Sequence, residues 1–248
     1  MNFCRDILNN ISAALLFSSR LPLPCNPATD IKAAFAWLPL AGSILSLLAL
    51  VPFLVGLAGT HWLAAWLYLT VYIWLSRALH WDGLADVMDG LGSNKTGAAF
   101  WQVVKDSRLG SMGGLGIFLA GTGYLFTIDH LLAAGRWEAL PWAAALARAL
   151  ALLLPAICPL NPNAGLGKIT QEASLSRKML TWLLLLFVLG SIRFSIIGVC
   201  LTSGLSFLVI CLLAANAAKQ GGFNGDFIGA GIVLSELTAM LSLTLYCL

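Results

Sequence analysis

Charged residues are scarce in this 248-residue sequence: lysine, arginine, aspartate and glutamate make up 10% of it, whereas 59% of its residues are hydrophobic. A soluble domain carries about 25% charged residues, so this chain has too few charges to cover a water-facing surface. The net charge of +3 is small and spread along the chain. This balance argues against nucleic acid as a partner, because nucleic-acid-binding domains concentrate basic residues on one face.

Paired cysteines are also missing. The six cysteines lie apart from one another, none forms a CxxC pair, and none belongs to a cluster of cysteines and histidines. Zinc and dithiol chemistry are therefore not indicated. A cleaved signal peptide is not indicated either, because the N-terminal apolar stretch is short and follows Arg5 and Asp6.

Long apolar segments are what the sequence has in abundance, and a helix needs about 20 such residues to cross a bilayer. One segment, Met179–Ile192, has only 14 residues and crosses only if the flanking Lys178 and Arg193 extend to the two interfaces. We predict an all-α, polytopic transmembrane helix bundle that forms a single integral-membrane catalytic domain over residues 1–248. About seven spans are expected: Ala33–Gly56, Trp62–Leu79, Met112–Leu132, Leu140–Cys158, Met179–Ile192, Phe194–Ala215 and Phe227–Leu245.

The N-terminal segment has a different pattern from the spans. Ile7, Leu8, Ile11 and Leu15 recur at helical spacing, with asparagines and a serine between them. This pattern predicts an amphipathic helix over residues 3–18 that lies at the membrane surface.

The basic residues indicate how the spans are oriented, because lysine and arginine concentrate on the cytoplasmic side of membrane proteins. If the segment before Ala33 is cytoplasmic and all seven segments cross, 11 of the 14 lysines and arginines lie inside and two outside, with Arg148 within a span. The longer polar loops, 80–111, 160–178 and 217–226, then face the cytoplasm. We therefore predict a cytoplasmic N-terminus and cytoplasmic active-site loops.

The most informative motif is HWDGLADVMDG, which runs from His80 to Gly90. Asp82, Asp86 and Asp89 stand at i, i+4 and i+7, so a helix places them within an arc of about 60°. Like charges at this spacing repel one another, and a divalent cation would remove the repulsion. An all-oxygen site of carboxylates suits Mg²⁺ or Mn²⁺, which also bind substrate phosphates. The alternative is a solvated acidic face at the end of a span.

A second cluster, KDSRLGSMGG, follows at residues 105–114. Lys105 and Arg108 supply positive charge, and an arginine can hold phosphate oxygens with two hydrogen bonds. Asp106 is a further candidate metal ligand, and the small residues from Gly110 onward open a helix whose backbone N–H groups can face a phosphate. The alternative is that the cations flank a span and the glycines allow close helix packing.

Three further polar residues have two interpretations each. Asp226 ends a glycine-rich turn and either belongs to the site or caps the last helix. Arg148 and Glu236 each lie near the middle of a predicted span, where charged residues are functional or pair with each other.

These motifs together resemble the cobalamin synthase family, the adenosylcobinamide-GDP ribazoletransferases. The resemblance runs in order through most of the chain, and its most specific part is the aspartate motif followed by KDSRLG. It also includes SRLPLP at 19–24, GLG at 165–167, Arg148, Gly225-Asp226 and Glu236. The family implies a Mg²⁺-dependent transferase of the bacterial cytoplasmic membrane.

The resemblance implies that adenosylcobinamide-GDP reacts with α-ribazole, or its 5′-phosphate, to give adenosylcobalamin, or its 5′-phosphate, and GMP. The implied partners are these small molecules and the lipid bilayer, with a homo-oligomer left open. Lys105 and Arg108 are expected to hold phosphate, and His80 is the candidate base for the ribazole hydroxyl. The alternative for His80 is that it anchors the span at the membrane interface. The expected Mg²⁺ ligands are Asp82, Asp86, Asp89 and Asp106. The expected substrate contacts are Arg20, Gly110, Gly225, Asp226 and Glu236.

Two other functions are compatible with parts of the sequence. A CDP-alcohol phosphotransferase also uses aspartates on membrane helices to displace a nucleotide, but its pattern resembles DxxDGxxAR with two further aspartates, whereas this chain has DGxxDxxDG. A transporter would place its charges near the middle of broken helices in repeated halves. Here most acids cluster at one interface and no repeat is found. Release of GMP from the cobinamide nucleotide would distinguish the three.

Overall fold

The computed structural model describes residues 2–24, 31–162 and 177–246. The predicted all-α fold is confirmed, since the described residues contain no strand and only an isolated backbone bridge between Leu160 and Phe223. The helices are α1 Asn2–Ser18, α2 Ile31–Phe35, α3 Leu38–Leu54, α4 His61–Leu75, α5 Leu79–Gly92, α6 Gly97–Val104, α7 Ser111–Ala133, α8 Ala139–Ala151, α9 Leu154–Ile157, α10 Arg177–Phe194, α11 Ile196–Lys219 and α12 Gly225–Tyr246.

The chain is a multi-pass membrane protein, but the predicted count of seven spans is not confirmed. Among the described residues, four helical stretches are long and apolar enough to cross a bilayer: Ser111–Ala133, Ala139–Ile157, Ile196–Lys219 and Gly225–Tyr246. The pair α4 and α5 makes a fifth only if a helix pair bent by 88° counts as one span.

The remaining predicted spans are shorter or more charged than a spanning helix. Helix α3 has 17 residues, about 26 Å at 1.5 Å per residue, against a hydrocarbon thickness of about 30 Å. Helix α10 contains the predicted segment Met179–Ile192 but carries Arg177 and Lys178 at its start and Arg193 near its end. Those three cations distinguish it from the four apolar spans.

Helix α12 lies at the centre of the bundle. It packs against α5, α7, α8 and α11, and it is buried along most of its length. Small residues let its neighbours come close, because helices in a membrane associate mainly through tight van der Waals packing. Helix α8 uses the same principle: its alanines are fully buried, and α3 and α12 both pack on it.

A charged pair lies within this core, as one of the two interpretations of Arg148 and Glu236 predicted. Nη1 of Arg148 lies 3.3 Å from Oε2 of Glu236, and both side chains are almost completely buried. The same glutamate oxygen accepts a hydrogen bond from the hydroxyl of Tyr72 at 3.1 Å. Gly42 provides the space, since a Cβ there would lie 2.6 Å from Cδ and Nη1 of Arg148.

The sharp bend between α4 and α5 is made by two consecutive residues in the left-handed region, Arg77 with φ 57° and Ala78 with φ 55°. Such residues are uncommon outside glycine and need support from their surroundings. Arg77 donates from Nη2 to the carbonyl of Phe17 at the end of α1, 2.6 Å away. Arg20 donates from Nε to the carbonyl of Trp74 at 2.9 Å. The two arginines thus fasten the bend to the end of α1.

The predicted N-terminal helix is present as α1. Its buried residues Ala14 and Leu15 face the bundle, where α1 packs against α2 and α3, while Leu8 is exposed. The predicted position of this helix at the membrane surface stays a prediction.

Candidate active site

The acidic motif lies on α5 and presents its carboxylates on one side. Asp82, Asp86 and Asp89 all fall within the continuous helix Leu79–Gly92, so their spacing places them on a common face as predicted. The carboxylates act on one another: burial, followed by the charges of Asp226, Asp82 and Asp89, raises the pKa of Asp86 to about 7. The carboxylates on this face therefore repel one another, as their spacing predicted.

Asp226 joins this group from the first turn of α12. A Cβ added to Gly83 would lie 2.8 Å from the carbonyl oxygen of Asp226 and 3.0 Å from its Cα, so only glycine lets the two helices approach this closely. Asn224 starts the helix, because its Oδ1 accepts from the backbone N–H of Asp226 at 3.1 Å. Nδ2 of Asn224 donates to Oδ2 of Asp226 at 2.6 Å. The helix cap is thus Asn224, and Gly225 lies between the two.

Asp89 has a role that the sequence did not suggest. Its Oδ2 accepts from the backbone N–H of Gly110 and its Oδ1 from that of Gly113, both at 2.7 Å. The carboxylate therefore caps the start of α7. The N–H groups that were expected to face a phosphate bind this aspartate, and both oxygens of the predicted metal ligand already have a donor.

Asp106 is paired with its neighbour and does not join the α5 carboxylates. Arg108 donates from Nε to Oδ1 at 3.0 Å and from Nη2 to Oδ2 at 2.6 Å. The hydrogen bonds from Arg108 lower the pKa of Asp106 to about 2. Arg108 itself is largely exposed, and Lys105 is exposed at the end of α6.

His80 lies on the side of α5 away from the aspartates. It is 7% exposed, and burial followed by the positive charge of Arg148 lowers its pKa to about 3. Its Nε2 is buried without a hydrogen-bond partner among the described residues. The physical reason is helix geometry, because a two-residue step from Asp82 turns about 200° around the axis. The structure therefore does not support His80 as the base.

Two expected substrate contacts are bound by other residues of the protein. Arg20 is engaged with the end of α4, where its guanidinium also lies 5.6 Å from the centre of the Trp74 ring. Glu236 is 1% exposed and bound by Arg148 and Tyr72, so substrate cannot reach it in this structure. Both residues have structural partners that account for them.

Two cavities flank the loop that joins α6 to α7. The first, of about 570 Å³, has a mixed lining whose polar side chains include Asp89, Ser93, Lys95, Gln102, Arg108 and Ser111. The second, of about 330 Å³, has the mostly apolar lining Ile73, Trp81, Ala85, Leu109 and Ile117, with Asp82 and Asp86. Arg108 and Leu109 line both cavities, so the loop forms a shared wall.

A sequence profile of the cobalamin-5-phosphate synthase family matches residues 10–244. The chain belongs to this family. An adenosylcobinamide-GDP ribazoletransferase of Nitratidesulfovibrio vulgaris is 38% identical over 236 residues, 91% of this chain and 90% of the relative. Proteins of the same name from Azorhizobium caulinodans and Brevibacillus brevis are 31% and 30% identical, over 97% and 95% of this chain and 97% and 98% of the relatives. No solved structure matches. The resemblance noted in the motifs is confirmed.

This member of the cobalamin-5-phosphate synthase family has carboxylate oxygens suited to magnesium, but they do not converge on one point. Within residues 2–24, 31–162 and 177–246, no three histidine, cysteine, aspartate or glutamate side chains converge closely enough to hold an ion. Asp89 and Asp106 are occupied by other donors. Asp82, Asp86 and Asp226 remain, and their oxygens are the ligands that Mg²⁺ prefers. A cation bound among them would relieve the repulsion on Asp86.

Sequence reasoning missed several residues that hold the site of this family member together. Asn224 carries a recognisable signal, because asparagine two positions before an aspartate is typical of a helix start. Gln220 carries none: its Oε1 accepts from the N–H of Gly97 at 3.1 Å, and its carbonyl accepts from Nε1 of Trp101 at 2.7 Å. These bonds tie α6 to the end of α11. The GLG motif at 165–167 lies outside the described residues.

Proposed function

We propose that this chain is the transferase that its relatives' names describe, joining adenosylcobinamide-GDP to α-ribazole, or its 5′-phosphate, with release of GMP. The observation that carries the proposal is that the charges of Asp226 and Asp82 act on Asp86, and that Asp82 and Asp86 line a cavity that shares Arg108 with the cavity lined by Lys95. A pyrophosphate substrate needs cations and metal-binding carboxylates side by side. In this family member, the cations and the carboxylates lie at the same end of the membrane helices.

Magnesium would be held by Asp82, Asp86 and Asp226. When bound, it would neutralise charge that builds on the phosphate oxygens and the leaving GMP. Asp89 would act indirectly, by holding the start of α7 against α5. Asp106 would act through Arg108, keeping that guanidinium at the shared wall until a phosphate takes the place of the aspartate.

The chain's own residues would orient the reacting groups. Arg108 faces both cavities, so its guanidinium is suited to hold the phosphorus centre between the nucleotide and the attacking hydroxyl. The acceptors near the second cavity are the carboxylates of α5, and these replace His80 as candidates for receiving the hydroxyl proton. The bond from the ribazole oxygen to phosphorus forms as the bond from phosphorus to GMP breaks.

The proposal extends to location. The bacterial cytoplasmic membrane is expected, with the N-terminus and the ends of α5, α7 and α12 that carry the acids on the cytoplasmic side. The excess of lysine and arginine in those loops supports this orientation. Residues 1–248 would form a single integral-membrane catalytic domain.

The test is GMP release by the purified full chain in lipid nanodiscs, with adenosylcobinamide-GDP and α-ribazole as substrates. Asp86→Asn and Asp226→Asn should each lower kcat by at least about 100-fold, as expected for loss of a group that stabilises the transition state. Asp129→Asn, in α7 away from the site, is the matched control and should stay near wild type. Full activity in EDTA would exclude the metal, and release of CMP from a CDP-alcohol would favour the rival function.

A further inference from the structure

The two cavities on either side of Arg108 and Leu109 differ in chemical character. The first carries two cations, Lys95 and Arg108, together with the polar side chains of Ser93, Gln102 and Ser111. Both acidic residues already have donors: Asp89 is bound by backbone N–H groups and Asp106 by Arg108. Lys95 has no acidic partner among the described residues, and Arg108 can exchange Asp106 for a phosphate, so the cavity offers two cations to an anionic ligand.

The second cavity offers an apolar slot with acids at its rim. Ile73 and Ile117 supply aliphatic surface from two different helices, and Trp81 supplies an aromatic face. The Trp81 ring is held against Tyr124, with 5.1 Å between the ring centres, so its orientation is defined. Ligand sites of this kind use apolar walls for affinity and a few polar groups for orientation.

The two substrates of the proposed reaction have the same two characters. One carries a guanosine diphosphate, which is anionic and polar. The other is a nucleoside whose base is a methylated benzimidazole, an apolar aromatic ring, attached to a ribose with hydroxyl groups. Matching charge with charge and apolar surface with apolar surface leaves a single arrangement of the two substrates over the shared wall.

On the basis of the proposed function, we infer that the first cavity binds the guanine nucleotide and the second binds the base of the ribazole. The ribose hydroxyl then points at Asp82 and Asp86, and the phosphorus lies over Arg108 where the cavities meet. The hydroxyl oxygen bonds to phosphorus, its proton passes to a carboxylate of α5, and GMP leaves through the first cavity. Leu109, 63% exposed, separates the two substrates and is a specificity determinant.

The test fills one cavity at a time in the full chain in nanodiscs. Ile117→Trp occupies the second cavity, and Leu115→Trp, also on α7 but lining neither cavity, is its matched control. Ile117→Trp should raise the KM for α-ribazole at least about tenfold, equivalent to 1.4 kcal/mol, and leave inhibition by GMP unchanged. Lys95→Ala with Gln102→Ala should weaken GMP inhibition to a similar extent and leave the KM for α-ribazole unchanged.

The outcomes separate this inference from the proposed function. Wild-type protein that releases no GMP refutes the function; equilibrium binding of GMP and α-ribazole to the same variants then still tests the cavities. If the wild-type protein is active but Ile117→Trp weakens inhibition by GMP, or weakens binding of both substrates equally, only the assignment of the cavities is refuted. An unchanged KM for α-ribazole in Ile117→Trp, with loss of a copurified phospholipid, would show that the second cavity holds a lipid chain and would also overturn it.

Discussion

Replacing Arg148 by methionine should destabilise the protein far more than replacing Arg148 and Glu236 together. The single replacement leaves the Glu236 carboxylate buried with only the hydroxyl of Tyr72 as a donor. The double replacement Arg148→Met with Glu236→Leu leaves an apolar interior of similar volume. A buried pair that loses one member leaves an uncompensated charge, whereas a pair replaced as a unit does not.

The expected magnitudes follow from the contacts. Loss of one partner of a buried pair costs about 3–5 kcal/mol, and replacement of both is often neutral. Here the pair is incompletely satisfied, since Nε of Arg148 and Oε1 of Glu236 have no hydrogen-bond partner among the described residues. The double variant leaves only the Tyr72 hydroxyl without its acceptor, so it should lie about 1–3 kcal/mol below wild type. Tyr72→Phe, which removes one hydrogen bond to a charged group, should cost about 1.5–3 kcal/mol.

Gly42 supplies an independent control on the same pair. An alanine Cβ at this position meets the Arg148 side chain at 2.6 Å, so Gly42→Ala should lower stability in wild type by about 1–3 kcal/mol through overpacking. In the Arg148→Met, Glu236→Leu background the flexible methionine can yield, and the same change should cost much less. This difference tests the position of the side chain rather than its charge.

The assay is thermal unfolding of detergent-purified protein, followed by tryptophan fluorescence and by the fraction that remains monodisperse. A double-mutant cycle gives the interaction energy, which should be favourable by at least about 3 kcal/mol. The reasoning is refuted if the double variant is no more stable than the worse single variant. Glu236 would then act independently of Arg148, and its loss should be examined for an effect on activity.

Two further outcomes test the acidic site. Gly83→Ala should push the start of α12 away from α5, because the new Cβ meets the backbone of Asp226 at 2.8 Å, and GMP release should fall at least about tenfold; Gly121→Ala, in α7 with nothing within 4 Å, should retain activity. Because the pKa of Asp86 is raised from 3.8 to about 7, the fold favours its neutral form. Metal-free protein should therefore lose stability as pH rises from about 4 to about 7, and Mg²⁺ should restore it most at pH 8. Unfolding temperatures at pH 5.5 and 8, with and without Mg²⁺, measure this, and an unchanged slope in Asp86→Asn would contradict it.

The features readable from the sequence were those that depend on local pattern or composition. Long apolar runs predicted the helices, and the i, i+4, i+7 spacing predicted the common face of Asp82, Asp86 and Asp89. Burial cost made pairing of Arg148 with Glu236 one of two interpretations, because an unpaired charge within a span is expensive, and the structure shows the pair. Each of these inferences needs only the residues themselves and the solvent that surrounds them.

The features not readable from the sequence depend on which groups arrive from distant segments. Asp89 is bound by α7, and nothing in its own helix distinguishes it from Asp86. Gln220 is bound by Gly97 and Trp101, which belong to a distant part of the sequence. The predicted count of seven spans is not confirmed, because α3 is short and α10 carries cations at both ends.

The right-angled bend at Arg77 and Ala78 decides the depth at which chemistry takes place. Had α5 continued straight from α4, Asp82 and Asp89 would lie about 10 Å apart along the helix axis, given 1.5 Å per residue, and the three carboxylates would sample different layers of the bilayer boundary. The 88° turn lays that axis across the end of α4 instead. With α4 crossing the bilayer, the three acids would share one level, where a water-soluble nucleotide could reach all of them.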